Sequence, residues 1–438
     1  MQVIHHGGKD TVTGSCHELV LDCGSVLVDC GQFQGHDAKL LEIDFPIEHI
    51  KALIVTHAHI DHIGRIPWLL AAGFKGPIYC SHATAELIPL MLDDGLSLQL
   101  AMGRSKRDQV LNVIRDLIKP VAYDVWHQVE GLDAPHYFRL NPAGHILGSA
   151  FIEFQLPNQE IVVFSGDLGP CDKPLLPDPI SPSRADYLFL ESTYGDKCHE
   201  TVSERGHRLK AIIERSLQDG GTIIIPAFSV GRTQELLFDI EQLIHSLQLD
   251  AQIPIILDSP MANEVTRAYR KFKQLWATEA KERLDAHRHP LSFEQCVTIK
   301  DFRQHQRLVN RLASTGEMSI VIAASGMCQG GRVMAYLQSL LPDARTDVIF
   351  SGYQAEGTLG RELQMGAHEV EIDGQKVKVN ANIHSMSGYS AHADQTDLVK
   401  FVTGIDNKPR QIHLIHGETE SKSSLAQQLK DLGYQVVI

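Results

Sequence analysis

Three histidines and one aspartate fall within six consecutive positions directly after a short apolar run, and this stretch constrains the chain more than any other. The run ALIV ends at Val55, and THAHIDHIGR follows it from Thr56 to Arg65. Imidazole nitrogens and a carboxylate in the pattern H-x-H-x-D-H are the donors that proteins use to bind zinc. A polar loop with chance histidines is the weaker interpretation, because the chain otherwise spreads its histidines thinly. The stretch therefore predicts a metal site, and other segments must supply the missing ligands.

Length and charge narrow the class of protein. A chain of 438 residues is too long for one ordinary core, so one large and one smaller domain, or two of similar size, are expected. A net charge of −14 opposes nonspecific adhesion to a polyanion, so any nucleic acid would need a locally basic groove. The eight cysteines form no C-x-x-C pair, which argues against a zinc ribbon. No apolar run approaches a membrane span and the chain starts without a secretory signal pattern, which predicts a cytoplasmic protein without a membrane partner.

The first part of the chain is rich in strands. Apolar and alternating patterns predict a hairpin of strands 18–21 and 25–29, then strands at 52–55 and 77–80, and a helical region at 84–118 that breaks near Gly103. A second block of strands is predicted at 136–140, 150–156, 160–164 and 187–191. Two strand-rich blocks with helices after each predict a sandwich of two sheets covered by helices.

The pattern changes after Tyr194, where strands and helices begin to alternate. Strands are predicted at 222–226, 254–257, 319–323 and 348–351, with helices at 233–247, 264–276 and 332–341 between them. This alternation predicts a separate parallel α/β domain. Strand character resumes at 376–383 and 411–416, and the last helix is predicted at 424–432.

Two glycine-flanked residues are candidates for the missing metal ligands. His145 lies in NPAGHILGSA, and Asp167 lies in VVFSGDLG after a predicted strand. Glycine allows the backbone to approach a metal closely. A single Gly-His or Gly-Asp is more often a plain turn. Following H-x-H-x-D-H in this order, however, the two residues fit the same metal site.

These segments together resemble a known family. Asp29 at a strand end, the motif at 57–62, His145 and Asp167 resemble the successive motifs of the metallo-β-lactamase fold, in the family's order. LESTYG, SGYSAHAD and HLIHGE resemble the further motifs of its β-CASP branch, which contains nucleases of RNA and DNA. FSVGRTQELL and SGMCQGGRV resemble segments of that branch's inserted domain. By pattern the chain is most similar to short bacterial and archaeal ribonucleases that resemble the endonuclease subunit of the cleavage and polyadenylation specificity factor.

The resemblance covers essentially the whole chain and implies its fold. We expect a metallo-β-lactamase αβ/βα four-layer sandwich made of residues 1–195 and 375–438. A parallel α/β β-CASP domain, residues 196–374, is inserted in it. Archaeal relatives that carry an additional amino-terminal RNA-binding region are a poorer match, because no such region is evident.

The resemblance also implies two zinc ions per chain and assigns their ligands. Three imidazoles suit one zinc and leave a position for water. A carboxylate that bridges the ions allows two like charges to lie side by side, and Asp29 is expected to orient a histidine. The first ion is assigned His57, His59 and His145, the second Asp61, His62 and His416, and the bridge Asp167.

Glu191 in LESTYG and His392 in SGYSAHAD are the expected proton-transfer pair. The resemblance implies that His392 protonates the leaving oxygen and that Glu191 supports it, with Asp61 and Asp167 completing the catalytic set. Glu191 could instead be a solvated strand end. His392 could instead be a histidine at a helix start, because Ser390 and Asp394 resemble a capping region.

Glycine-rich turns that end in arginine are candidates for binding the substrate's phosphates. SGMCQGGR and SGYQAEGTLGR each follow a predicted strand, and backbone amides with a guanidinium can hold phosphate there. Plain tight turns, with the arginine paired to a nearby carboxylate, are the alternative. The candidate residues are Arg232, Ser325, Gly330, Arg332 and Arg361.

The resulting hypothesis is a zinc-dependent ribonuclease that hydrolyses single-stranded RNA by a two-metal mechanism, with a homodimer left open. A DNA nuclease of the same branch is one alternative, and His416 disfavours it only because histidine at that motif accompanies RNA-processing members. A small-molecule ester or thioester hydrolase is disfavoured by the large insertion. A catalytically inactive scaffold is disfavoured because every ligand position is filled.

Overall fold

The computed structural model describes residues 2–34, 41–100, 102–247, 253–352, 354 and 356–438. The chain forms two compact units. The first unit consists of Met1–Cys198 with His392–Ile438, and the second consists of His199–Ala391. The boundaries expected from the sequence, after 195 and after 374, differ from these bounds chiefly at the second. The reason is that the strand Asn382–Ser385 joins the sheet of the second unit.

The secondary structure is numbered in chain order. The strands are β1 (Gln2–Gly7), β2 (Cys16–Leu21), β3 (Gly24–Val28), β4 (Ile50–Ile54), β5 (Ile78–Ser81), β6 (Ile118–Val121), β7 (Trp126–Gln128), β8 (Tyr137–Pro142), β9 (Ala150–Gln155), β10 (Ile161–Phe164), β11 (Tyr187–Glu191), β12 (Thr222–Pro226), β13 (Ile255–Asp258), β14 (Cys296–Thr298), β15 (Ser319–Ala323), β16 (Asp347–Phe350), β17 (Glu369–Ile372), β18 (Gln375–Lys378), β19 (Asn382–Ser385), β20 (Gln411–Ile415) and β21 (Val436–Val437). The helices are α1 (Ile60–Ile63), α2 (Ile66–Ala71), α3 (His82–Leu100), α4 (Arg104–Leu117), α5 (Val202–Asp219), α6 (Arg232–Leu247), α7 (Pro260–Lys271), α8 (Thr278–Asp285), α9 (Phe302–Thr315), α10 (Val333–Leu340), α11 (Leu359–Gln364), α12 (Gln395–Thr403) and α13 (Thr419–Asp431).

The first unit is a sandwich of two sheets. One sheet has the order β1-β2-β3-β4-β5-β6 and the other β21-β20-β11-β10-β9-β8-β7. Apolar side chains from both sheets, such as Val26 and Phe164, form the core between them. Helix α3 packs on β5 and β6, and α12 and α13 cover the outer face of the second sheet. The predicted four-layer sandwich is therefore confirmed, as is the β2–β3 hairpin.

The second unit contains a parallel sheet of order β14-β13-β15-β12-β16-β19. Helix α6 runs between β12 and β13, and α10 runs between β15 and β16, so the predicted parallel α/β domain is confirmed. Because all six strands are parallel, the turns that follow their carboxyl ends lie along one edge of the sheet.

Two predictions of elements in the second unit were wrong. The predicted strand 376–383 is two strands in different sheets, because β18 pairs with β17 in a separate hairpin and β19 pairs with β16. The helix predicted at 264–276 is α7, which begins at Pro260 and ends at Lys271. It starts earlier because the Ser259 hydroxyl accepts a hydrogen bond from the backbone of Ala262 and Pro260 fits the first turn.

The strand directions in the first unit bring its sequence motifs together. Strands β3 and β4 are parallel neighbours, and so are β10, β11 and β20. Asp29 directly follows β3, Glu191 ends β11 and His416 directly follows β20. The carboxyl ends of these strands therefore carry the polar residues of the candidate site. Within the described parts of the chain, no helix combines the length and apolar character needed to cross a membrane.

Candidate metal centre

The structure brings together all seven residues that the sequence assigned as metal ligands. Each offers a nitrogen or oxygen atom to one of two groups whose atoms lie within 4.8 Å of one another. The first group is His57, His59, His145 and Asp167, and the second is Asp61, His62, Asp167 and His416. Asp167 belongs to both groups.

In the first group, three imidazole nitrogens surround one point. His59 Nδ1 lies 3.1 Å from His57 Nε2 and 3.0 Å from His145 Nε2. Asp167 Oδ2 lies 3.5 Å from His57 Nε2 and 3.6 Å from His145 Nε2. Three nitrogens and one carboxylate oxygen are a donor set that suits zinc.

The second group uses the other oxygen of the shared carboxylate. Asp167 Oδ1 lies 3.3 Å from His62 Nε2 and 3.5 Å from His416 Nε2. Asp61 Oδ2 lies 3.7 Å from His62 Nε2 and 3.9 Å from His416 Nε2. The two oxygens of Asp167 therefore face different groups, as a bridging carboxylate requires.

Asp29 and Thr56 form hydrogen bonds with the Nδ1 atoms of two of the histidines. Asp29 accepts hydrogen bonds from the backbone and hydroxyl of Thr56, both at 2.8 Å, and from His62 Nδ1 at 2.7 Å. With its hydroxyl proton given to Asp29, Thr56 Oγ1 can accept from His57 Nδ1 at 3.1 Å. This assignment leaves a lone pair on His57 Nε2, and the Nε2 atoms of both His57 and His62 face the donor groups. The sequence analysis missed Thr56, although its place between a buried strand and H-x-H-x-D-H was an available signal.

Two buried atoms of the second group are arranged in a way that suits a cation. His62 Nε2 and Asp167 Oδ1 are buried, neither has a hydrogen-bond partner, and they lie 3.3 Å apart. Nδ1 of His62 already donates to Asp29, so Nε2 is the ring nitrogen that faces Asp167 Oδ1. Buried polar atoms of this kind are rarely left unsatisfied. The residues present therefore fit a metal ion.

The electrostatics of the site agree with metal binding. Burial lowers the pKa of His57 well below its ordinary value and that of His59 to about 4, so both imidazoles are in the neutral form that binds metals. Burial also opposes a charge on His62, but the neighbouring carboxylates, led by Asp167, outweigh it and raise its pKa well above the ordinary value. The carboxylates thus favour positive charge at the second group.

Backbone conformation contributes to the close packing. Asp29 and His416 have φ values of 61° and 48°, in the left-handed region that few non-glycine residues adopt. Gly166 has φ +53°, and a Cβ atom there would lie 2.8 Å from Thr56 Cβ. The glycine before Asp167 is therefore needed both for its conformation and for space.

Glu191 and His392 lie beside the donor groups. Both oxygens of the Glu191 side chain are 3.3 Å from His392 Nδ1, and Asp167 Oδ2 is 3.8 Å from it. Glu191 is fully buried, and its Oε1 accepts a hydrogen bond of 2.7 Å from the Leu168 backbone. Burial opposes a charge on His392, but Glu191 and Asp167 outweigh it and raise its pKa. The His392 side chain is 22% exposed.

Comparison with known proteins identifies the family. The sequence matches the metallo-beta-lactamase superfamily over residues 12–198, the Beta-Casp domain over 233–363 and the Zn-dependent metallo-hydrolase RNA specificity domain over 376–438. Ribonuclease TTHA0252 of Thermus thermophilus is 34% identical over 440 residues, which cover 100% of this chain and 97% of that protein. The chain belongs to the β-CASP branch of the metallo-β-lactamase superfamily.

Further relatives of this β-CASP protein include one of similar length and one that is considerably longer. An RNase J-like protein of Methanocaldococcus jannaschii is 32% identical over 96% of this chain and 93% of its own. Transcription termination factor FttA of Pyrococcus abyssi is 32% identical over 96% of this chain but only 67% of its own. A solved structure of a protein of unknown function from Enterococcus faecalis shares the fold, with a TM-score of 0.57 at 12% identity over 100% of this chain and 97% of that one. The family predicted from the sequence motifs is confirmed, and the chain is a metallo-hydrolase.

The residues predicted to bind phosphate lie in the β-CASP unit, in or after the turns that follow β12, β15 and β16. Arg232 is buried at the start of α6, whereas Arg361 is exposed in α11. Ser325 and Gly330 lie in the turn after β15, and Arg332 ends it. Part of the second glycine-rich turn, residues 353 and 355, lies outside the described residues.

Arg332 has a carboxylate partner, which is the alternative that the sequence left open. Its Nη1 donates to Asp258 Oδ1 at 2.5 Å and to the carbonyl of Ile299 at 3.2 Å. Asp258 Oδ2 also accepts from His305 at 2.7 Å and from Tyr336 at 2.5 Å. The sequence analysis missed this buried cluster, because its members are far apart in the chain.

Proposed function

We propose that this protein is a ribonuclease that hydrolyses phosphodiester bonds of single-stranded RNA with two zinc ions. The similarity to a ribonuclease over 100% of this chain and 97% of that protein supports the reaction and its substrate. The observation that carries the proposal is the pair of buried atoms, His62 Nε2 and Asp167 Oδ1, that face each other without a hydrogen-bond partner. Both atoms belong to the second donor group, which shares Asp167 with the first.

The ligands divide between the two ions as follows. His57, His59 and His145 would hold one zinc, and Asp61, His62 and His416 would hold the other. Each oxygen of Asp167 would serve one ion, in keeping with its separate contacts to the two groups. When bound, the ions supply an activated water and neutralise charge on the phosphoryl oxygens.

Asp29 and Thr56 keep the ligand histidines in the orientation that the site needs. Asp29 takes the Nδ1 proton of His62, so Nε2 of the same ring is left to act as a ligand. Thr56 links the same carboxylate to His57. These residues act through the ligands and do not contact the substrate themselves.

His392 supplies the proton for the leaving oxygen. Cleavage of a phosphodiester releases an oxygen that becomes an alkoxide unless a group protonates it. Glu191 accepts the Nδ1 proton of His392, which directs the Nε2 proton of the ring away from the carboxylate. Because Glu191 is itself held by the Leu168 backbone, it fixes the ring as well as favouring its charge.

The substrate's backbone is held partly by the β-CASP unit. Arg361 is the stronger candidate for a phosphate contact because it is exposed, while Arg332 shares its guanidinium with Asp258. Arg232, Ser325 and Gly330 remain candidates around the same turns. The acidic net charge of −14 makes such local contacts necessary, because the protein as a whole repels RNA.

The test is digestion of one RNA labelled separately at each end, in linear and circular forms, with 5′-monophosphate and 5′-triphosphate versions. We expect cleavage that depends on about two zinc equivalents per chain, is abolished by chelation and returns with zinc. Cleavage of the circle shows endonuclease action. Hydrolysis of an ester or thioester without RNA cleavage would support a small-molecule hydrolase instead, and faster cleavage of single-stranded DNA would support a DNA nuclease.

A further inference from the structure

Two exposed aromatic side chains lie at one edge of the β-CASP unit. Among the described residues of this unit, Phe228 and Phe302 are the exposed aromatic residues, at 40% and 62%. Phe228 comes shortly after β12, and Phe302 comes shortly after β14. Both strands belong to the parallel sheet, so the two rings follow carboxyl ends at the same edge. Single exposed apolar residues are ordinary, but two aromatic rings at the edge that also carries the glycine-rich turns require an explanation.

The Phe228 ring is held in place by the turn that follows β15. A Cβ atom on Gly326 would lie 2.8 Å from Cδ2 of the ring, so the ring rests directly on the backbone of this glycine. The Phe228 carbonyl accepts a hydrogen bond of 2.8 Å from the hydroxyl of Thr233. The ring is therefore supported on one side and 40% exposed overall.

The Phe302 ring is connected to the same turn through Arg332. Its centroid lies 5.7 Å from the ring of His305, whose Nδ1 is 2.7 Å from Asp258 Oδ2. The other oxygen of Asp258 holds Arg332, which also donates to the Ile299 carbonyl. The turn that supports Phe228 thus ends in a guanidinium that contacts the segment leading into Phe302. The Arg332 side chain keeps 17% of its surface exposed.

We propose that Phe228 and Phe302 stack unpaired bases of single-stranded RNA, with the exposed part of Arg332 beside the intervening backbone. This inference rests on the proposed function and adds residues that recognise the unpaired state of the substrate. Aromatic rings beside a cation form the usual platform for single strands, and every base has a face that can stack. Stacking also suits a chain of net charge −14, because it does not depend on attraction between opposite charges.

Binding of a short uridine oligonucleotide with hydrolysis-resistant phosphorothioate linkages tests the inference on the zinc-loaded protein. Fluorescence anisotropy should show that Phe228→Leu and Phe302→Leu each raise Kd about tenfold, within the range of one lost base stack. Leucine keeps the apolar bulk, so folding is retained. Tyrosine at either position should restore binding. Met365→Ala is the matched control, since Met365 is an apolar residue of the same unit with 72% exposure.

An oligonucleotide with abasic positions completes the test. The unsubstituted protein should bind this abasic oligonucleotide about as weakly as the leucine variants bind ordinary RNA. In the leucine variants, replacing ordinary RNA by abasic RNA should lower the affinity little further. Unchanged Kd in both leucine variants, or equal affinity for abasic RNA, overturns the stacking inference even if RNA is cleaved. Binding that depends on the two rings without cleavage of ordinary RNA retains the inference and overturns the ribonuclease proposal. Absence of RNA binding overturns both.

Discussion

Two buried carboxylates, one in each unit, lie in similar positions and have opposite surroundings. Asp167 in the metallo-β-lactamase unit and Asp258 in the β-CASP unit are 2% and 0% exposed, and each lies at or after the carboxyl end of a parallel strand. Asp258 accepts hydrogen bonds of 2.5–2.7 Å from three side chains. Asp167 Oδ1 has no hydrogen-bond partner, although imidazole nitrogens lie 3.3 and 3.5 Å away.

The difference separates a carboxylate whose hydrogen bonds are made within the protein from one whose surroundings suit a cation. Burial opposes the charge of both residues, yet their neighbours lower both pKa values, so charge alone does not distinguish them. The two carboxylates differ in whether their oxygen atoms have hydrogen-bond partners. A fully bonded buried carboxylate contributes to stability, whereas an unbonded one costs free energy unless a ligand compensates.

The largest expected effect is that of Asp167→Ala. Removing the shared carboxylate should reduce kcat/KM for RNA by roughly a thousandfold or more, because under the proposed mechanism it removes a ligand from both ions. Elemental analysis should show less than the full complement of about two zinc equivalents. Exposed Asp431 on α13 is the control, and Asp431→Ala should retain both metal and activity. A fully active Asp167→Ala protein would refute the bridging role.

His392→Ala should reduce RNA cleavage by about 10²- to 10⁴-fold while both zinc ions and RNA binding are retained. Glu191→Gln should lose less, because it only positions and charges the imidazole. A substrate with a 3′-bridging sulfur, which leaves without a proton, should be cleaved by the His392 variant at nearly the normal rate. Equal impairment on that substrate, or loss of zinc, would identify His392 as a ligand or a structural residue.

Asp258→Ala should leave metal content unchanged and instead destabilise the β-CASP unit. Removing the carboxylate leaves three buried or partly buried donors, including the Arg332 guanidinium, without their acceptor. We therefore expect a loss of about 3 kcal/mol in the free energy of unfolding. Urea denaturation of the zinc-loaded protein measures this change. Loss of zinc by this variant, with unchanged stability, would show that Asp258 takes part in metal binding and does not stabilise the fold.

Asp29→Ala should lower zinc affinity by about 10- to 100-fold, as loss of a residue that orients a metal-binding imidazole usually does. Competition with a chelator of known affinity measures it. Asp22, exposed in the neighbouring β2–β3 turn, offers the control variant Asp22→Ala, which should bind zinc normally. The same zinc affinity in both variants would show that Asp29 only stabilises the local backbone and does not orient a metal-binding histidine.

The smallest expected effect is that of Arg361→Ala, which should raise KM for RNA a few-fold and lower the slope of log affinity against log salt by about one. Metal content should not change. The control is Arg311→Ala, because Arg311 is 65% exposed but already paired with Glu317. Arg332→Ala tests the other turn. An unchanged KM and salt slope in Arg361→Ala would make this arginine a surface residue without a role in binding.

The sequence by itself determined the family, the class of fold and the type of chemistry. H-x-H-x-D-H is contiguous, and the other ligand candidates stand in short glycine-flanked motifs, so local patterns were sufficient to find them. Alternating strands and helices were likewise sufficient for the parallel β-CASP sheet. The roles of the individual ligands remain predictions, although the structure brings their donor atoms together.

Only the tertiary structure decided which atoms face one another. His416 meets the histidines of the first motif because β20 lies parallel to β11, and strand order is a long-range property that no local pattern contains. The same limit explains why 376–383 was assigned to one strand, since a short apolar pattern does not specify which sheet it joins. Hydrogen-bond satisfaction is also long-range. The partners of Asp258 and the unpartnered oxygen of Asp167 became visible only when distant segments packed together.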